Sequence, residues 1–146
     1  MIILEWFVGF HRPRFRDTDG TICPSLWLGH CEVWGYTEDE TWLFLDPQRK
    51  GLHVRVTHHF DEVSEALALR AAICDTILRV RGGDPAFALP MHGVMTCASL
   101  VGGLIGLRAL FPGTLRRKLL AKGAEVIHET TERRSGSCGR PAAGNG

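Results

Sequence analysis

Polar and apolar residues alternate along Leu52 to Thr57 as Leu-His-Val-Arg-Val-Thr. That period of two predicts a strand with one wet face. Ile2 to Phe10 is apolar and β-prone, broken only by Glu5 and Gly9, and predicts another strand. Leu26 to Tyr36 is rich in Trp and branched residues, and Thr41 to Leu45 forms a second apolar run closed by Asp46-Pro47. The polar stretch Thr37-Glu38-Asp39-Glu40 between them predicts a β-hairpin with a four-residue connection. Gln48 to Gly51 reads as the next turn. His11 to Ser25 holds Arg12, Pro13, Arg14, Arg16, Asp17, Asp19, Gly20 and Pro24, the composition of a solvated loop or extended arm.

The period then changes to that of a helix. Val63, Leu67, Ala71, Cys74 and Leu78 predict a helix over 60–80, capped by Asp61 and stopped by Gly82-Gly83. Asp84 to Pro90 is a proline-bracketed connector. A second helix is predicted from Thr96 to Arg108, with Met95 or Thr96 at its cap and Leu100, Val101, Leu104, Ile105 and Leu107 as its apolar surface. Gly102, Gly103 and Gly106 each cost a helix about 1 kcal/mol against alanine. With Ala98 and Ser99 they make a small-residue face beside Cys97, against which a sheet carrying His30 could lie. Leu115 to Ala121 predicts a short basic helix ended by Gly123, and Ala124 to His128 a last strand. The pattern is that of an α+β fold, an antiparallel sheet packed against a cysteine-bearing helix. Residues 1–128 are expected to form one domain and 129–146, polar and glycine-rich, a disordered tail containing Cys138.

Composition narrows the function classes. A formal net charge of +1 supplies no field to draw nucleic acid, so none is expected as a partner. The five cysteines, Cys23, Cys31, Cys74, Cys97 and Cys138, are odd in number and contain no CxxC pair, so a disulfide scaffold is not expected and a reducing compartment fits. The start Met1-Ile2-Ile3-Leu4-Glu5 lacks a basic leader and reads as a strand, and no apolar run is long enough to span a bilayer.

Cys97 is the candidate nucleophile, because a thiol at a helix N-terminus faces unpaired N–H groups and the positive end of the helix dipole, which favour thiolate. His30, on a strand, is the candidate general base. If Tyr36 pairs with Glu40, His30 falls opposite Asp46, whose carboxylate would then orient the imidazole; Glu32, two residues along the same strand face, is the competing orienter. Turn initiation before Pro47 explains Asp46 equally well. Metal binding is the rival chemistry, with His30-Cys31, His53, His58-His59 and Cys97 as possible ligands, but no zinc spacing is present and no cofactor is expected. Walker, dinucleotide and GxSxG motifs are absent.

The segments His30…Asp46-Pro47, Thr96-Cys97-Ala98-Ser99-Leu100-Val101…Gly106-Leu107-Arg108 and Phe111-Pro112-Gly113-Thr114-Leu115-Arg116-Arg117 resemble small phage-encoded proteins of the circularly permuted papain-like class, relatives of the NlpC-type cell-wall peptidases. The resemblance covers roughly residues 26 to 127. In permuted members the histidine strand and its neighbour come first and the cysteine helix follows, which is the order here. The resemblance implies Cys97 as nucleophile, His30 as base and Asp46 as the third polar residue of a thiol hydrolase or acyl-transfer enzyme. It further implies a peptide, peptidoglycan or acyl substrate, and a place in the bacterial cytoplasm or the phage virion. The alternative it carries is a non-enzymatic virion or assembly protein that keeps the fold and binds phage structural proteins.

Overall fold

The computed structural model describes residues 2–11, 14–16, 22–24, 29–48, 51–82 and 95–130, with the backbone alone in 14–16 and 22–24. Among the described residues, eight strands and three helices follow in the order β1 (Ile3–His11), β2 (Arg14–Arg16), β3 (Ile22–Pro24), β4 (His30–Thr37), β5 (Trp42–Gln48), β6 (Gly51–Thr57), α1 (Phe60–Ile73), β7 (Thr76–Arg81), α2 (Cys97–Leu104), α3 (Pro112–Ala121) and β8 (Glu125–Glu129). Six strands form one antiparallel sheet in the order β6-β5-β4-β1-β7-β8, and β2 and β3 pair separately. The architecture is α+β. Among the described residues no helix is long and apolar enough to cross a membrane.

Side-chain alternation sorts the sheet into two faces. Trp6, Val8 and Phe10 of β1, Cys31 and Val33 of β4, Leu45 of β5 and Leu78 of β7 share one core with Ala98, Val101 and Leu104 of α2 and Leu115 and Leu119 of α3. The intervening residues Trp34, Phe44 and Ile77 bury on the other face with Ala66 of α1 and Cys74. Covered on both sides, β1 is apolar at nearly every position and lies next to β4 at the centre of the sheet. The edge strand β6 has one face open: Leu52, Val54 and Val56 are all exposed.

The largest departure from the sequence pattern is the helix predicted over 60–80. It ends at Ile73, and Thr76–Arg81 is β7. Cys74 is already extended, with φ −82° and ψ 131°. The reason lies in the sheet. Without β7 the buried strand β1 would carry a row of unpaired backbone groups on one side, which is costlier than ending a helix. The branched run Thr76-Ile77-Leu78-Arg79-Val80 suits that place. Ile77 and Leu78 bury on opposite faces, and Ala71, assigned by periodicity to the apolar stripe, is exposed. Asp61 is not the cap: the N-cap is His59, without a side-chain cap bond, and Asp61 lies in the first turn beside Glu62.

The second helix is also shorter than its pattern. It stops at Leu104, and Gly106 takes a positive φ of 73°. The Leu107 N–H reaches the Gly102 carbonyl at 2.7 Å and the Gly106 N–H reaches Gly103 at 3.3 Å, a Schellman ending. A Cβ on Gly102 would sit 2.5 Å from the Leu107 oxygen. This glycine makes room for the returning chain, and not for the sheet as the small-residue reading had it. The third helix begins three residues earlier than predicted, with Pro112 at its first position, where a missing N–H costs nothing. The loop expected over 11–25 contains the β2–β3 ladder. The connector at 84–90, the first residues of the predicted strand at 26–28, and the tail from 131 with Cys138 lie outside the described residues.

Candidate active site

The site forms where the sheet opens between its second and third strands. The β4–β5 ladder runs from Tyr36↔Trp42 to Val33↔Leu45 and stops. Both strands continue past that point with other partners. His30, Cys31 and Glu32 stay paired to His11, Phe10 and Gly9 of β1, and Asp46, Pro47 and Gln48 stay paired to β6. Asp46 and Pro47 are therefore strand residues and not a turn, and Pro47, with no N–H to give a ladder, lies where β5 leaves β4.

This register differs from the expected one by two residues. Continued past Val33, it would bring Glu32, and not His30, across from Asp46. The His30 ring nonetheless reaches the carboxylate diagonally, its Nε2 lying 2.7 Å from Asp46 Oδ1. The other Asp46 oxygen accepts from Gln48 Nε2 at 2.8 Å, so both carboxylate oxygens are engaged. Glu32, the competing orienter, is occupied elsewhere: its Oε1 lies 3.0 Å from His11 Nε2 and its Oε2 pairs with Arg70 at 2.9 Å.

Cys97 enters from the α2 side. It is the first residue of a helix fixed by a capping box. Thr96 Oγ1 accepts from the Ser99 N–H at 3.0 Å, and Ser99 Oγ accepts from the Thr96 N–H at 2.8 Å. Thr96 Oγ1 also donates to the Leu110 carbonyl at 2.8 Å, tying the cap to the segment before α3. Cys97 packs half-buried against the core that contains Cys31.

Two residues, Cys31 and His30, lie close enough to Cys97 to act on its ionisation. Hydrogen bonds from Cys31 and His30 outweigh burial and pull the Cys97 thiol down to about 4. The bond to Cys97 pushes His30 up to about 9; burial opposes that rise and Asp46 adds to it. Cys31 is held strongly protonated by its bond to Cys97 and by burial, so its S–H is a donor to the thiolate. Burial works against ionisation of Asp46, but bonds from Gln48 and His30 win and keep it below the usual carboxylate range. Near neutral pH the arrangement is a thiolate–imidazolium pair braced by a carboxylate, and the His30 side chain remains 37% exposed, open to a reactant.

The structure thus brings together the three residues singled out from sequence, His30, Asp46 and Cys97. His53 lies across the β5–β6 ladder from Asp46, His58 and His59 pack on each other at the start of α1, and Glu32 turns away. Sequence reasoning missed Cys31, named only among possible metal ligands, and missed His11, whose ring centroid lies 5.3 Å from that of His30. Its one legible signal was a histidine ending an apolar strand. Comparison with protein-family models, curated proteins and solved structures gives no match to this chain.

Proposed function

We propose that the protein is a cysteine hydrolase or acyl-transfer enzyme acting on an amide or ester carbonyl, built on a permuted papain-like arrangement. The observation that carries this reading is a helix-start thiol whose ionisation is favoured by the neighbouring His30 imidazole, itself held by the Asp46 carboxylate. The order along the chain, histidine strand, carboxylate strand, cysteine helix, supports the permuted arrangement.

The Cys97 thiolate attacks the carbonyl carbon, and the charge that develops on oxygen is met by the Cys97 backbone N–H at the start of α2. His30 gives its proton to the leaving amine or alcohol as the tetrahedral adduct collapses to a thioester. The neutral imidazole then takes a proton from water, or from an acceptor nucleophile, which releases the acyl group and restores the thiolate. Asp46 holds Nε2 of the His30 ring and so fixes its orientation.

Reaction with p-nitrophenyl acetate tests the proposal. One equivalent of p-nitrophenol released in a burst, with acetyl mapped by mass spectrometry to Cys97, is the expected result. Undiminished release from Cys97→Ala protein would overturn it.

A further inference from the structure

Beside His30, on the α1 face of the sheet, lies a second histidine–carboxylate–cysteine group that the proposed reaction does not use. His11 ends β1, Glu32 lies on β4, and Cys74 follows α1. We propose that His11, Glu32 and Cys74 form a binding site for a divalent transition-metal ion of the zinc class.

The three facing atoms lie within 4.8 Å of one another. His11 Nε2 is 3.0 Å from Glu32 Oε1, Cys74 Sγ is 3.6 Å from His11 Nε2, and Cys74 Sγ is 3.9 Å from Glu32 Oε1. Zinc bonds of about 2.0–2.3 Å to nitrogen, oxygen and sulfur, set at tetrahedral angles, give ligand-to-ligand edges of about 3.4–3.6 Å. The observed triangle needs adjustments of only a few tenths of an ångström to accept an ion at its centre.

Two further observations favour a built site. The Glu32 oxygens are divided: Oε1 faces His11 and Cys74, while Oε2 is held by Arg70. A ligating carboxylate is commonly oriented this way, its second oxygen fixed from outside the coordination sphere. The guanidinium of Arg70 is itself anchored, 4.4 Å from the Phe44 ring centroid and 5.4 Å from that of Trp34. The chain also makes space for the sulfur: a Cβ on Gly9 would come within 2.6 Å of Cys74 Sγ. A bound divalent ion would be balanced by the Glu32 carboxylate and the Cys74 thiolate, whose proton leaves to solvent, with neutral His11 as third ligand and water in the open fourth position. The ion would pin β1, β4 and the α1–β7 junction together.

Cobalt(II) titration of the Cys97→Ser chain tests the site with the other reactive thiol removed. The expected result is one equivalent bound, with tetrahedral d–d absorption and a thiolate charge-transfer band that zinc abolishes. Cys74→Ser and His11→Gln in the same background should each lose the band while circular dichroism stays native. The His11 ring is 21% exposed, so His11→Gln carries the test if Cys74→Ser fails to fold. Absence of binding, binding that survives His11→Gln, or binding seen only when Cys97 is intact would each overturn the proposal.

Discussion

The pH dependence of Cys97 alkylation separates an ion-paired thiolate from an ordinary buried thiol. With its pKa pulled down to about 4, Cys97 is fully ionised at pH 6. An ordinary cysteine with a pKa near 8.5 is then about 0.3% thiolate, which gives Cys97 a ~300-fold advantage in the reactive form. A less basic thiolate is also a poorer nucleophile, and a Brønsted slope of about 0.4–0.5 across that gap takes back roughly 100-fold. The net gain at pH 6 is only about threefold, and it reverses above about pH 6.5. Speed alone is therefore a weak signature, and the slope is the strong one. From pH 6 to pH 8 an ordinary thiol gains ~80-fold in thiolate, whereas Cys97 should change less than about twofold. Cys74, pushed up to about 12 by burial and by the Glu32 carboxylate, serves as an internal reference that stays slow. The assay is iodoacetamide labelling of the folded protein at several pH values, with site-resolved mass spectrometry. A Cys97 rate that climbs tenfold per pH unit between 6 and 8, or one no faster than Cys74 near neutral pH, would refute the ion pair.

Turnover, which also needs the His30 proton, should form a bell with limbs near 4 and 9: Cys97 takes up a proton below the first, and His30, raised by its partners, loses its own above the second. A flat profile to pH 10 would remove His30 as the acid. Asp46→Asn should lower turnover by about tenfold or more and move the upper limb down, because a carboxylate that favours the imidazolium is gone. Glu32→Gln should leave turnover per folded molecule nearly unchanged but cost about 3 kcal/mol in urea unfolding, since Arg70 is left partly buried without its counter-charge; the reverse ranking would place the orienting role on Glu32. Cys31→Ala should raise the onset pH of Cys97 labelling by removing the S–H donor, and an unchanged onset would exclude that donor. Gly102→Ala should cost about 1–3 kcal/mol through overlap with the Leu107 carbonyl, and an unaltered unfolding midpoint would show that α2 can end otherwise.

Local pattern was sufficient for most strands of the sheet, β7 excepted, and for the class of fold. Alternation at Leu52–Thr57, the apolar run of β1 and the polar break at 37–40 correspond to β6, β1 and the β4–β5 hairpin. Thr96 was legible as a cap because its hydroxyl satisfies an amide three residues away, a bond that sequence distance alone permits. The stop at Ile73 was not legible. Nothing within 60–80 breaks a helical period, and the decision came from β1, some 70 residues earlier, which needed a strand beside it.

The site divides the same way. The sequence by itself determined the chemistry on offer: a thiol at a helix start, an imidazole on a strand, a carboxylate on the next. It supplied the right carboxylate through a wrong register, because counting across a hairpin assumes that both strands stay paired to their ends. Only the tertiary structure decided that β4 and β5 part at Val33↔Leu45, that His30 spans the gap diagonally, that Cys31 acts on the ionisation of Cys97, and that Glu32 belongs to His11 and Arg70. These are contacts between residues up to 67 positions apart, fixed by which face of a shared sheet each side chain takes. Local periodicity sets that face within one strand; how neighbouring strands pair, part and are covered by helices is set by the fold as a whole.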